Sequence, residues 1–133
     1  MIVIDASVLA NVIADDAGDG QKARDAIREA GGLSAPELVD VETVAVLRKR
    51  WLAGTLSDGR FAAAVDDLMD LDVDRYPALP LLRRAYKLRA NVSAYDATYV
   101  ALAEGLGCGL VTADAGLAHA PGPTCDIRLL ESE

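Results

Sequence analysis

The sequence predicts an α/β domain with a mainly parallel central sheet flanked by helices, and three observations support this. Short apolar runs, Ile2-Val3-Ile4 at the start and Cys108-Gly109-Leu110-Val111-Thr112 late in the chain, match strands covered on both faces. Segments of helical periodicity separate them. Glycine, proline and aspartate clusters punctuate that alternation, and no linker, repeat or low-complexity stretch divides the 133 residues. One domain spanning 1–133 is therefore expected.

The elements follow in order. After the first strand and Asp5, a short helix is expected from Ser7 to Ala14, ended by the Asp15–Gly20 turn cluster. Gln21 to Ala30 places Ala23, Ala26, Ile27 and Ala30 at helical spacing, with Gly31-Gly32 as the stop. Leu33-Ser34-Ala35 is either a very short strand or the entry to the next helix. Ser34 and Glu37 have the spacing of a capping box, and proline is tolerated in a first turn, so a helix should run from there to about Ala53. Ser57 to Asp70 is a further helix, its apolar stripe formed by Phe61, Ala64, Val65 and Leu68.

Leu71 to Tyr76 alternates apolar and polar residues, as a strand with one wet face does. Leu81 to Arg89 is predicted helical, with Arg83, Arg84, Lys87 and Arg89 outward. The next helix spans Ser93 to Glu104 and is closed by Gly105 and Gly107. Cys108–Thr112 is the second apolar strand, and Cys125 to Leu130 reads as an edge strand.

Composition narrows the function classes. A net charge of −8 opposes a general affinity for nucleic acid or anionic membrane, and fits an acidic pocket that needs a cation. A nucleic-acid substrate is compatible with that charge only if metal neutralises the pocket and local basic residues meet phosphates. No apolar run approaches the roughly 20 residues of a membrane span. Asp5 interrupts the apolar start too early for a signal peptide, so a cytoplasmic location is expected. Cys108 and Cys125 match no C-x-x-C spacing and read as small buried apolar residues.

The acids carry the chemistry. Asp5 and Asp114 each follow an apolar strand and precede a helix, a setting that suits helix capping and also suits a site, because parallel strand ends converge on one sheet edge. Glu37 has a structural use in the capping box. Glu42 has none: its helical neighbours Leu38, Val41, Ala45 and Val46 are apolar, and Lys49 is two turns away. Asp96 completes the capping spacing Ser93-Ala94-Tyr95-Asp96 but also begins a face through Val100 and Ala103. Hard oxygen ligands without clustered cysteine or histidine favour Mg²⁺ or Mn²⁺. A carboxylate cluster holding such ions can support phosphodiester hydrolysis. His119, the single histidine, lies in a Gly/Pro-flanked segment and reads as solvated.

Four segments in this order resemble the PIN domain, and specifically the VapC toxins of toxin–antitoxin pairs. They are Ile2–Leu9, Ala35–Glu42, Tyr95–Ala103 and Leu110–Asp114. The resemblance implies a Mg²⁺- or Mn²⁺-dependent endoribonuclease whose acidic quartet is Asp5, Glu42, Asp96 and Asp114. On it, Asp5 and Asp96 are direct metal ligands with Asp114 close behind. Glu42 binds a second ion, directly or through water, or orients the attacking water. Ser7 and Thr112 are supporting hydroxyls. A homodimer and a VapB-type antitoxin partner are also implied.

Arg24 and Arg28, or the Arg83–Arg89 cluster, are candidate phosphate contacts, although a charge run on a helix is commonly a solvated face. A phosphoaspartyl phosphatase would want a second acid where Ser7 stands, and a receiver domain a lysine after the late strand. A non-catalytic α/β interaction module, or another Mg-dependent phosphate-handling domain, is the remaining alternative.

Overall fold

Val3 and Ile4 point to opposite faces of their strand, and both are completely buried, which requires a sheet covered on both sides. That strand, β1 (Ile2–Ile4), lies at the centre of the computed structural model, which describes residues 1–132. The other strands are β2 (Leu33–Pro36), β3 (Asp74–Tyr76), β4 (Gly109–Thr112) and β5 (Ile127–Leu129). All pairings are parallel, in the order β3-β2-β1-β4-β5.

The chain moves from β1 to β2 on one side and later returns to β4 on the other. The strand order therefore reverses between β1 and β4, where open α/β sheets place their ligand crevice. Ile4 pairs with Val111, so Asp5 and Thr112 come level at that crevice.

Helices α1 (Ala6–Ala14), α2 (Gly18–Ala30), α3 (Val39–Leu52) and α4 (Asp58–Asp70) form one group, in which α1 packs against the other three. A 3₁₀ turn (Leu79–Leu81) leads into α5 (Leu82–Lys87). Helix α6 (Ala94–Leu106) runs across β1, β2 and β4, and α7 (Ala115–Ala118) follows β4. Every residue of α6 from Ala97 to Ala103 is buried. A helix buried all round lies inside a protein, not on its surface. Alanines at 97, 101 and 103 allow this close approach to the sheet.

Several elements differ from the sequence reading. Leu33–Ala35 is a strand, and Ser34 within it is fully buried with its hydroxyl 3.5 Å from the Met1 sulfur. The Ser34/Glu37 capping box therefore does not form, and α3 begins at Val39 without a side-chain cap. Pairing with β1 and β3 satisfies the backbone here, and outweighs the local capping pattern. The glycines at 18 and 20 lie inside α2 and do not stop a helix. A Cβ at Gly20 would collide with the Asp15 carbonyl at the α1–α2 corner.

The strand expected over 71–76 shortens to Asp74–Tyr76 at the sheet edge. The helix expected from Leu81 contracts to α5, and Arg84 turns inward. Its Nε and Nη2 donate to the two oxygens of Glu104 at 2.7 and 3.1 Å. Glu104 also accepts the Thr124 amide at 2.7 Å and the Thr124 hydroxyl at 2.8 Å, which ties α5, α6 and the 122–124 segment together.

Two outcomes test this packing. The Thr43 hydroxyl in α3 is fully buried without a hydrogen-bond partner among the described residues. Thr43→Val should therefore raise stability by about 1 kcal/mol in urea unfolding, because an unpaired buried hydroxyl is a liability; a loss of stability would show that the hydroxyl is satisfied. Arg84 holds the Glu104 carboxyl down at about 2, against an ordinary 4.5. A lowered acid stabilises fully above its unfolded value, and the effect disappears as pH falls through the folded value. Glu104→Gln should cost about 2 kcal/mol at neutral pH, and should flatten the acid-denaturation limb between about pH 4.5 and 2. An unchanged limb would refute the role of this pair.

Candidate active site

Asp5 leaves β1 into the first turn of α1, and its burial is nearly complete, at 4% exposed. Its carboxylate is held from both neighbouring strand ends. Oδ1 accepts the Ser7 hydroxyl at 2.6 Å and the Val8 amide at 3.1 Å; Oδ2 accepts the Thr112 hydroxyl. Each hydroxyl also accepts an amide from beyond β4, Ala113 N–H on Ser7 Oγ at 3.2 Å and Asp114 N–H on Thr112 Oγ1 at 3.0 Å. Two hydroxyls thus join the ends of β1 and β4 around one carboxylate.

Asp114 lies on the exposed rim and caps α7, accepting the Gly116 amide on Oδ1 at 2.8 Å. A Cβ at position 116 would come within 3.1 Å of that oxygen, so glycine leaves the carboxylate room. The capping reading of Asp5 and Asp114 is thus correct as local structure. It leaves the outer oxygen of Asp114 without a protein partner among the described residues.

Glu42 projects from the first turns of α3 and is half-buried. Its partner is the fully buried Tyr99, whose hydroxyl donates to Oε1 at 3.0 Å. Two of the apolar neighbours of Glu42 face solvent, Val41 at 76% exposure and Ala45 beside it, so its helix face is less apolar than the sequence implies. Tyr99 was not singled out from sequence. Its signal was its place three residues after Asp96 on one helical face, together with the need of a buried tyrosine hydroxyl for a partner. Asp96 is half-buried in the first turn of α6, where its amide donates to the Ser93 cap at 3.1 Å.

The four acids act on one another. Burial, above all, raises Asp5 above the ordinary aspartate range, against the Ser7, Thr112 and Val8 hydrogen bonds, and the charge of Asp114 adds to it. Burial also raises Glu42, against its bond from Tyr99, with Asp96 and Asp5 adding. Asp96 rises through burial and the charges of Asp5 and Asp114. Among the described residues no lysine or arginine pairs with any of the four. Mutually repelling carboxylates without a protein counter-charge suit a divalent cation with oxygen ligands. No three acid, histidine or cysteine side chains among the described residues close a protein-only cage around one point. An ion here would complete its shell with water, as Mg²⁺ does.

The basic residues named from sequence divide. Arg24 gives Nη1 to the Val12 and Asp15 carbonyls, Arg28 pairs with Asp25, and Arg84 is committed to Glu104. Arg89 lies 4.0 Å from the Tyr86 ring centre. Arg83 and Lys87 are exposed, as is His119.

A parallel sheet with Asp5 and Asp114 beyond the ends of β1 and β4 defines an α/β domain with its candidate site at the switch point. Residues 2–123 match the PIN domain family. The chain belongs to that family and, within it, groups with the VapC ribonucleases. It is 44% identical over 132 residues to Ribonuclease VapC9 of Mycobacterium tuberculosis, covering 98% of each chain. To Ribonuclease VapC1 of the same species it is 38% identical over 129 residues, covering 96% of each. Among solved structures it is similar in fold to PAE2754 from Pyrobaculum aerophilum, with a TM-score of 0.69 at 23% identity over 96% of this chain and 82% of that one. VapBC2 from Rickettsia felis, solved bound to a DNA fragment from its promoter, gives 0.67 at 12% identity, covering 98% and 100%.

Thr112→Val keeps the volume and removes both hydrogen bonds of the clasp. It should cost about 2–3 kcal/mol in denaturant unfolding, and a loss below about 0.5 kcal/mol would show that the hydroxyl does not hold the two strand ends.

Proposed function

We propose that this chain is a divalent-metal-dependent endoribonuclease, the toxin of a toxin–antitoxin pair, acting in the cytoplasm. The observation that carries the reading is that Asp5, Glu42, Asp96 and Asp114, from four separate segments, act on one another by their charge, with no lysine or arginine among the described residues paired to them. Names of relatives at 38–44% identity over nearly the full length support ribonuclease activity. Neighbours solved as toxin–antitoxin complexes support a VapB-type antitoxin as partner, and the family resemblance supports a homodimer. Among the described residues no helix is long and apolar enough to cross a membrane.

In this reading Asp5, Asp96 and Asp114 hold the ion, Mg²⁺ or Mn²⁺. When bound, it supplies the positive charge needed by the transferring phosphate and the attacking water. Ser7 and Thr112 fix the Asp5 carboxylate and leave its outward lone pairs to the crevice. Tyr99 occupies Glu42 Oε1, so Oε2 is the oxygen free to orient a water or meet a second ion. Burial and the neighbouring carboxylates push the Tyr99 phenol far up, so it remains a donor at every working pH.

RNA cleavage should require Mg²⁺ or Mn²⁺, stop with EDTA, and be lost in Asp5→Asn and Asp96→Asn while folding persists. Variants that cut as well as wild type would refute the site. The pH dependence has a definite sign. Acids raised in the folded state favour the metal-free fold below their unfolded values, and that advantage is lost as pH rises through the folded ones. Mg²⁺ should therefore raise the melting temperature more at pH 8 than at pH 5, since protons compete for the same oxygens. An equal or reversed shift would refute carboxylate ligation.

A further inference from the structure

A cavity of about 960 Å³ begins at Ser7 and Ala113, both part of the clasp around Asp5. It continues past Asn11 and Arg50 to the α1–α2 corner and Arg60. Along α1, Asn11 lies one turn, about 6 Å, beyond Ser7, and Asp15 a further turn. The cavity is an open groove that leads away from Ser7 and Ala113, and Arg50 is the first cation along it.

Two half-buried arginines, Arg24 and Arg50, grip no carboxylate; Arg24 spends Nη1 on the Val12 and Asp15 carbonyls, and of the two only Arg50 lines the cavity. Arg60, Arg75 and Arg84 each grip a carboxylate through two nitrogens. Arg50 makes one side-chain hydrogen bond, from Nη2 to the neutral Asn11 Oδ1 at 2.7 Å. No carboxylate among the described residues pairs with it. A guanidinium offers five donors, and withdrawing its charge from water without an opposite charge is unfavourable. The cavity's own acids, Asp15, Asp16 and Asp19, belong to the corner beyond. There Asp16 is neutralised by two bonds from Arg60, at 2.9 and 3.0 Å, and Asp15 Oδ1 is taken up by the Ala17 amide.

Resting on the ribonuclease reading above, we propose that Arg50 is a phosphate-binding residue for the RNA strand. It receives a backbone phosphate next to the one cut at the acid cluster. Asn11 steadies one arm of the guanidinium, and the remaining donors face the cavity in the planar fork that suits phosphate oxygens. The residue accounts for how a chain of charge −8 holds a polyanion: the cation is local, bonded to Asn11 one helical turn beyond Ser7. Arg50 positions the strand and takes no part in the chemistry.

The test uses the full chain in Mg²⁺ with Asp96→Asn to prevent cleavage. Binding of a fluorescent 20-nucleotide single-stranded RNA is measured against salt concentration. Adding Arg50→Gln, which keeps a donor for Asn11, should weaken binding about tenfold and reduce the salt slope by about 0.7, the value of one phosphate contact on a single strand. Arg50→Lys should keep the slope and lose about threefold in affinity through loss of the fork. In the otherwise wild-type protein, Arg50→Gln should leave the Mg²⁺-induced melting shift unchanged. Equal affinity and slope in the presence and absence of Arg50→Gln would overturn the subsite while leaving the nuclease reading intact. If Arg50→Gln fails to fold, Arg50→Lys decides, and a slope lowered as by a lost charge would overturn the proposal. A parent that binds no RNA in Mg²⁺ would overturn both readings.

Discussion

Asp5 is a carboxylate placed where a protein can least easily keep one, almost fully buried at the junction of the two central strands, with no lysine or arginine among the described residues paired to it. Such a group persists only if hydrogen bonds replace the water it has lost. Ser7, Val8 and Thr112 provide them, and the two hydroxyls also anchor the amides that begin the segment after β4. The same bonds therefore solvate the charge and align the strand ends. Asp114 and the turn that carries it are placed by the interaction that makes Asp5 tolerable.

The helices bearing the other two acids are fixed by different means. Helix α6 lies between strands and α5, with its small side chains allowing depth, and the Arg84–Glu104–Thr124 network locks its far end. Helix α3 is tied at its start to the sheet edge by the two-pronged Arg75–Asp40 bond. Tyr99 then bridges the two helices through Glu42. Ion pairs hold the periphery, and neutral donors serve the acid cluster. That division leaves the cluster's negative charge uncompensated, which suits an incoming cation and would be lost if an arginine were among the supports.

Periodicity and apolar runs made most of the architecture legible: two strand ends followed by aspartates, the helices between them, and the parallel sheet. Local patterns mislead where their chemistry has a competitor in space. Ser34 and Glu37 have the spacing of a cap, but β2 has neighbours on both sides and its backbone is satisfied by pairing. Arg84 reads as one of an outward row, and a half-buried glutamate twenty residues away turns it inward. Glu42 was noticed for its apolar neighbours, two of which prove exposed. What makes it unusual is its half-buried place beside other acids.

By itself, the sequence determined which acids follow strands, which segments alternate, and hence that a parallel sheet would bring Asp5 and Asp114 to one edge, because strand ends and helix starts are properties of neighbouring residues. Only the tertiary structure decided that Thr112 clasps Asp5, that Tyr99 holds Glu42, and that Arg50, paired with no carboxylate among the described residues, bonds Asn11 instead. Those contacts join residues 39 to 107 positions apart. No local pattern encodes such pairs, since their partners are chosen by the packing of whole elements against the sheet.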